Sequence, residues 1–507
     1  MTKRMGDETF MDDKRAGRKN IWYYPLGTVG RDMVYCLVTN FLYTFVLFTH
    51  ELTALQLSAI AGIMVAARVF DALNDPIMGN IIERTRSRWG KFKPWLVIGI
   101  LTTSVVIYLA FNVKLQGWAF VWFFGLIYFC YSITYTMHDI SYWGMVPALG
   151  SDADERNQLT SRATLFAGIG GTLASIVIPQ LTTGSSALGG SAVTAYGRIA
   201  LIVAILAPAF LCFTVFGVRE TRNLSREPVP PVSFQKIWST ITGNDQLLWI
   251  SLIFLLQEIG NGVVNSGVGS TYIYFQFGYE GGLYSLFTTV GMSVTALLMI
   301  FYPAISRRIR RKPLMKKLIV IAAGGYALQL LAGLLIPAGT MRLFGMDLKF
   351  LLVTVGYMLS NFGQYGFYLI MMISLINTVE YNEWKHGVRD EGIITSLRPF
   401  LTKFASALTV VIATVSYLLC GVTGYTNGIS SFERAASAGT ITEAEKLSSI
   451  QSLLRGVTGA QSVGLLLSMT VLPFACMLLS HILYQKKYTL DEDEYDRIVA
   501  ALKEREK

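Results

Sequence analysis

Eight charged side chains stand inside stretches too apolar to carry them at ease: Asp32, Asp71, Asp75 and Asp139, with Arg31, Arg68, Arg398 and Lys403. A charge at a bilayer centre costs at least ~2.5 kcal/mol on insertion scales, so each needs a partner, a wet cavity or a bound ion. Arg68, Asp71 and Asp75 are spaced i, i+3, i+7 and share one helix face, with Asn74 beside them. Two carboxylates a turn apart repel unless a cation or a proton sits between them. Oxygen donors of this kind suit hard cations. The pattern therefore reads either as an ion-pair network between Arg68 and the acids, or as a cation site built on Asp71 and Asp75.

A second constellation repeats the same spacing. Thr136, Asp139 and Trp143 again fall at i, i+3, i+7. A carboxylate accepts hydrogen bonds from hydroxyls, and an indole packs on the apolar face of a sugar ring. A structural Asp139 paired to a nearby Arg is the competing reading. Arg31 and Asp32 lie in the first apolar stretch. Thr395, Pro399 and Lys403 line one face of the eleventh, with Arg398 adjacent. One hydrated, charge-lined cavity within a helix bundle accounts for all of these residues together. Glu258, with Gln257, Asn261 and Asn265, forms a further polar stripe, equally suited to interhelical hydrogen bonding. His138, next to Asp139, is the histidine that falls inside an apolar segment near the candidate site.

The elements that must position these side chains are spanning helices. Hydrophobic residues make up 52% of the chain and charged residues only 15%, against about 25% charged in soluble domains. Mean hydropathy is +0.46. The apolar residues come in blocks, each long enough for a helix of ~20 residues. The blocks resolve into about twelve segments: 26–50, 57–82, 95–112, 118–147, 161–181 and 193–218, then 247–277, 281–305, 314–336, 350–378, 392–422 and 463–484. The division expected is a segment 1–25, a six-helix bundle 26–218, a middle loop 219–245 with Pro228, Pro230 and Pro231, a second bundle 246–485, and a terminal helix 486–507. In that last helix, Thr489 and Glu492 read as a capping box, and Leu490, Tyr495, Ile498, Val499 and Leu502 recur at helical spacing. The polar stretch 424–461 lies between the last two segments, with a short helix expected from Thr440 to Leu454.

The formal charge of +10 is not spread as a nucleic-acid surface would require. It gathers in short loops: Arg84, Arg86, Arg88, Lys91 and Lys93 after the second segment, and Arg307, Arg308, Arg310, Arg311, Lys312, Lys316 and Lys317 after the eighth. The positive-inside rule then puts both termini in the cytoplasm and 424–461 outside. These loops hold equivalent places in the two halves, which is weak internal symmetry of the kind two fused bundles leave. The five cysteines sit in apolar blocks without metal or redox spacing. The first twenty residues are polar, with no signal peptide expected, and Asn223 begins a sequon on a loop placed inside. No P-loop, metal-ligand His pair or nucleophile elbow is present, so an enzyme is not expected.

At these residues the chain resembles the glycoside–pentoside–hexuronide cation symporters, and within them the melibiose permeases. The resemblance runs over nearly the whole chain. It is strongest from Ala67 to Gly79, from Thr85 to Trp95, from Thr134 to Trp143, and from Glu380 through Arg389 and Glu391 to Lys403. It implies an all-α major facilitator fold in the cell inner membrane. It implies symport of a glycoside with Na⁺, or H⁺ or Li⁺, by a monomer without a cofactor. Asp71, Asn74, Asp75 and Thr136 match the cation-site residues, with Na⁺ expected at Asp71 and Asp75. Asp32, Asp139 and Trp143 match sugar-binding residues, with Arg31 where a Lys is usual. Lys403 matches a Lys near both sites, and Arg162 lies close to a sugar-contacting Arg whose register falls on Thr164. Ser141-Tyr142 stands for a Pro-Phe pair, and Arg398-Pro399 for Gln-Thr. The added Arg398 would suit a hexuronide. Lysolipid symport on the same fold and a non-transporting membrane sensor are the rival functions; Asp32 and Asp139 argue against an apolar lysolipid cavity.

Overall fold

The computed structural model describes residues 2–150, 153–218 and 234–505. The proline-containing middle of the expected 219–245 loop and the Asn223 sequon lie outside the described residues. The chain is a succession of helices with one two-stranded hairpin, Arg342–Leu343 against Met346–Asp347. Among the described residues, eleven helices are long and apolar enough to cross a membrane, and the fold is all-α and polytopic. Two compact units divide it: Met1–Pro231 with Thr426–Ile450, and Val232–Tyr425 with Gln451–Lys507.

In the first unit, α1 (Thr2–Cys36) runs through a π turn at Leu37–Phe41 into α2 (Leu42–Thr49). It is followed by α3 (Ala54–Arg84), α4 (Lys93–Asn112), α5 (Gly117–Gly144), α6 (Val146–Leu149), α7 (Ala153–Thr182) and α8 (Ala192–Gly217). A capping box starts α3: the Thr53 hydroxyl accepts from Gln56 N, and the Gln56 side chain accepts from Thr53 N. Pro76 sits within α3 without ending it, as prolines do in spanning helices where neighbours satisfy the freed backbone. α1 packs on α7 and α8, α5 on α3 and α4. Large apolar side chains such as Trp122, Leu126, Ile205 and Phe216 face outward. A soluble surface would not tolerate that belt, but acyl chains do.

Two close helix crossings lie beside charged residues. A Cβ on Gly99 of α4 would lie 2.7 Å from His138 N on α5, and one on Gly30 of α1 would lie 2.6 Å from the Ala207 Cα on α8. Small residues at such crossings let backbones approach where lipid supplies no hydrophobic drive. Tyr24 and Tyr142 stack at 4.4 Å. Each hydroxyl donates to the other's backbone carbonyl. This reciprocal lock ties α1 to α5 at the level of Arg31 and Trp143.

The second unit holds α9 (Phe234–Gly243), α10 (Asp245–Gly262), α11 (Val268–Phe277), α12 (Gly281–Ser306), α13 (Arg311–Leu335), α14 (Leu348–Ile376), α15 (Thr378–His386) and α16 (Glu391–Leu419). After α17 (Thr423–Ser437) and α18 (Glu443–Leu454) come α19 (Gly459–Lys487) and α20 (Glu492–Arg505). The expected seventh span is not one helix. It breaks at a 3₁₀ turn, Val264–Ser266, and at Gly267 with φ of 99°. Gly260, Asn261, Gly262, Asn265 and Gly267 together are poor helix formers, and a left-handed residue ends the ladder. The capping box expected at Thr489 is likewise not formed. Asp491 accepts from Glu494 N instead, and Glu492 is drawn away to the backbone and side chain of Arg311. α20 and the residues leading into it dock through Leu490, Ile498 and Leu502 on the core of their unit, as the periodicity expected.

The stretch 424–461 is more ordered than its polarity suggests. It forms two helices, α17 and α18, rather than the single one expected from Thr440.

Candidate functional site

Arg31 of α1 is the hub of one cluster. It is 8% exposed. Its Nη1 donates to Asp139 Oδ1 at 2.7 Å, and its Nε donates to Asp32 Oδ2 at 3.0 Å. Its Nη2 also reaches Asp32, at 2.9 Å. The guanidinium lies 5.1 Å from the Trp143 ring and 5.8 Å from that of Tyr142, within cation–π range. One planar fork thus holds two half-buried carboxylates and faces an indole, a set of donors, acceptors and an apolar plate that matches a hydroxylated ring.

The second cluster joins α3 to α5. Arg68 Nη1 donates to Asp71 Oδ2 at 3.1 Å. The Ser132 hydroxyl donates to Asp71 Oδ1, and Thr136 Oγ1 donates to Asp75 Oδ1 at 3.0 Å. Asn74 Nδ2 is buried without a hydrogen-bond partner. The ion pair of the first sequence reading is present at Asp71, and at Asp75 a single hydroxyl donor, Thr136, is in place. Among the described residues, no three His, Cys, Asp or Glu side chains gather as a metal cluster. An ion held here would draw on the two acids with neutral oxygens of Asn74, Thr136 and Ser132, the hard donors an alkali cation favours. Counting Arg68, the two acids leave one net negative charge, matched by one monovalent ion.

Other expected residues lie elsewhere. Arg162 of α7 stacks over Trp22 at 4.4 Å, with its buried Nη1 lacking an acceptor. Thr164, which holds the family register, is exposed and bonds back to Thr160 O. His138 is fully buried against α4 with neither ring nitrogen partnered. Lys403 and Arg398 are on α16 in the second unit. Arg398 Nη2 donates to Tyr368 Oη at 3.3 Å, and Glu258 of α10 faces Arg398 and Thr402. Gln257, from the same polar stripe, bonds to the backbone and side chain of Gln364, which in turn reaches Tyr326. That part of the stripe is interhelical glue.

Ser132 went unnoticed in the sequence. It sits four residues before Thr136, on the same face, so the i−4 position of a hydroxyl ladder was the available signal. The Tyr24–Tyr142 lock had none, because both partners read as ordinary apolar-segment aromatics.

The sequence profile of the MFS/sugar transport protein family matches residues 23–492. This chain belongs to that family. It is a sugar transporter of the glycoside–pentoside–hexuronide symporter type within the major facilitator superfamily, and not an enzyme. The lactose permease of Lactobacillus helveticus is 27% identical over 97% of this chain and 73% of its own length. The raffinose carrier protein of Pediococcus pentosaceus is 27% identical over 94% of this chain and 70% of its own. A bacterial homologue of the human lysosomal transporter Spinster, solved inward-facing and unoccupied, superposes with a TM-score of 0.58. It covers 94% of this chain and 98% of its own at 13% identity, a likeness of fold alone.

Proposed function

We propose that this transporter carries a glycoside across the plasma membrane by symport with one monovalent cation, Na⁺ or in its place H⁺ or Li⁺. Asp71, Asn74, Asp75 and Thr136 hold the cation, with Arg68 offsetting one carboxylate. Asp32, Asp139, Arg31 and Trp143 recognise the sugar. Arg162 offers its unpartnered amino group to a hydroxyl, and Arg398 and Lys403 are further sugar-binding candidates. The protein works as a monomer with both termini in the cytoplasm. The names of its relatives, lactose permease and raffinose carrier, favour a galactose-containing oligosaccharide.

One observation carries the reading. α5 presents Thr136, bonded to Asp75, and Asp139, bonded to Arg31, three residues apart. That is about 4.5 Å along the helix. A cation that reorders the first bond moves the helix that carries the second, which is the physical content of coupling. The test is uptake into proteoliposomes of lactose, raffinose, a methyl xyloside and a methyl glucuronide, with and without inward gradients of Na⁺, Li⁺ or H⁺. Accumulation of at least one glycoside above equilibrium, driven by one of these gradients, is expected. Equilibration without accumulation under every gradient would refute symport, and no entry of any glycoside would refute the substrate class.

A further inference from the structure

Residues 426–450 come late in the chain yet belong to the first compact unit, while the chain on both sides of them belongs to the second. They dock at the end of the first unit away from the Arg84–Lys93 loop, through a set of polar contacts. Glu433 and Lys446 form an ion pair at 3.5 Å with both side chains fully buried. Neither charge is satisfied by the other alone. Glu433 Oε2 accepts from Ala192 N at 2.6 Å, capping an orphan amide in the first turn of α8. Lys446 Nζ donates to Gly190 O at 2.7 Å. Asn427 exchanges two hydrogen bonds with the backbone of Leu52, at 2.9 and 3.0 Å. Arg434 pairs with Glu51 at 2.9 Å, and the Thr194 and Ser437 hydroxyls meet at 3.1 Å. Ile429 and Ile450 are fully buried.

A buried ion pair adds little net stability by itself. Lifting this segment would break the Ala192, Gly190, Leu52, Glu51 and Thr194 contacts together and expose Ile429 and Ile450 to water, so docking is close to all-or-none. We propose that residues 426–450 are a strap that stays docked on the first unit throughout the transport cycle. It keeps the start of α8 and the residues leading into α3 covered, and just outside it the Tyr425 hydroxyl donates to Gly456 O.

The test is a disulfide between strap and bundle, T194C with S437C, in a background where the five native cysteines are replaced and uptake is retained. The hydroxyl separation puts these positions near disulfide reach. Oxidation should close the bridge, and uptake of the sugar identified in the liposome screen should stay within threefold of the reduced protein. A larger loss that reductant restores would mean the strap must lift, overturning the proposal. Failure of the bridge to form would overturn it too. Should the screen find no glycoside carried, the symport reading falls and the strap is judged by amide exchange on the intact protein. Ala192 exchanging at least a hundredfold more slowly than the exposed Gly345 amide supports the strap, and comparable rates refute it.

Discussion

Replacing Asp139 by Asn keeps the shape of the side chain and removes its charge. In the protein its Oδ1 accepts from Arg31 at 2.7 Å, and the side chain is 28% exposed. The amide oxygen still accepts from the guanidinium, so the fold loses only the difference between a charge-assisted and a neutral hydrogen bond, about 1 kcal/mol. Arg31 keeps both bonds to Asp32, so it is not stranded. A sugar hydroxyl that donates to this carboxylate loses more, ~1.5–3 kcal/mol, or roughly a 10–150-fold rise in Kd. Cation affinity measured without sugar should stay within twofold, because the Thr136–Asp75 bond is untouched. The assay is calorimetric titration of the purified variant, first with the transported glycoside and then with Na⁺. A sugar Kd within threefold of wild type would refute the assignment of Asp139. Parallel loss of cation binding would refute the separation of the two clusters.

Further outcomes follow from the same geometry. Asp75→Cys should abolish cation stimulation of sugar binding yet leave weak, cation-independent binding; linkage makes the lost factor equal in both directions, typically 5–150-fold, and a retained Na⁺ response would place the ion elsewhere. Ser132→Ala leaves Asp71 with Arg68 alone and should cost about 1–3 kcal/mol, read as a lower melting temperature and a changed cation preference; identical Na⁺ and Li⁺ titrations would refute a part for Ser132. Gly99→Val forces a Cβ against the His138 backbone and should cost at least ~1–3 kcal/mol, visible as loss of monodisperse protein on size exclusion. At Asp245, burial pulls the carboxyl up, but donors on Lys385, Gln246 and Tyr381 outweigh it and hold it at about 2. A depressed pKa stabilises above the unfolded value of about 3.9 and is lost as pH falls toward 2. The side chain is half exposed, so the contribution stays below ~1 kcal/mol. The melting difference between wild type and Asp245→Asn should therefore shrink from pH 5 to pH 2, and a constant difference would refute it.

The charged faces were legible because helical period is local: Arg68, Asp71 and Asp75, or Thr136, Asp139 and Trp143, share a face whatever surrounds them. The apolar blocks gave the polytopic helical fold, and the transport class came from the family resemblance that those faces carry. What spacing cannot give is which helix supplies the partner. That Arg31 bridges Asp32 and Asp139, and that Ser132 rather than a second cation completes Asp71, depends on how α1 and α3 lie against α5. The break at Gly267 was written in five Gly and Asn residues, but hydropathy averages over them. The cap of α20 shifted because Glu492 gained a better partner in Arg311, a tertiary contact that outbid a local one. The docking of residues 426–450 on the first unit was beyond any local signal, since its partners lie more than two hundred residues away.

The guanidinium of Arg31 has a consequence for how tightly anything can be held. Asp32 and Asp139 are already engaged by Arg31, so under the proposed function a hydroxyl adds its bond to a carboxylate whose charge is already offset. The gain per contact is then smaller than at a bare carboxylate. A receptor would be handicapped by such an arrangement. A carrier profits from it, because its turnover is limited by how fast the cargo lets go, and affinity differences are expressed mostly in that departure rate. Under the proposed function the same fork would keep the two acids paired once the sugar has left.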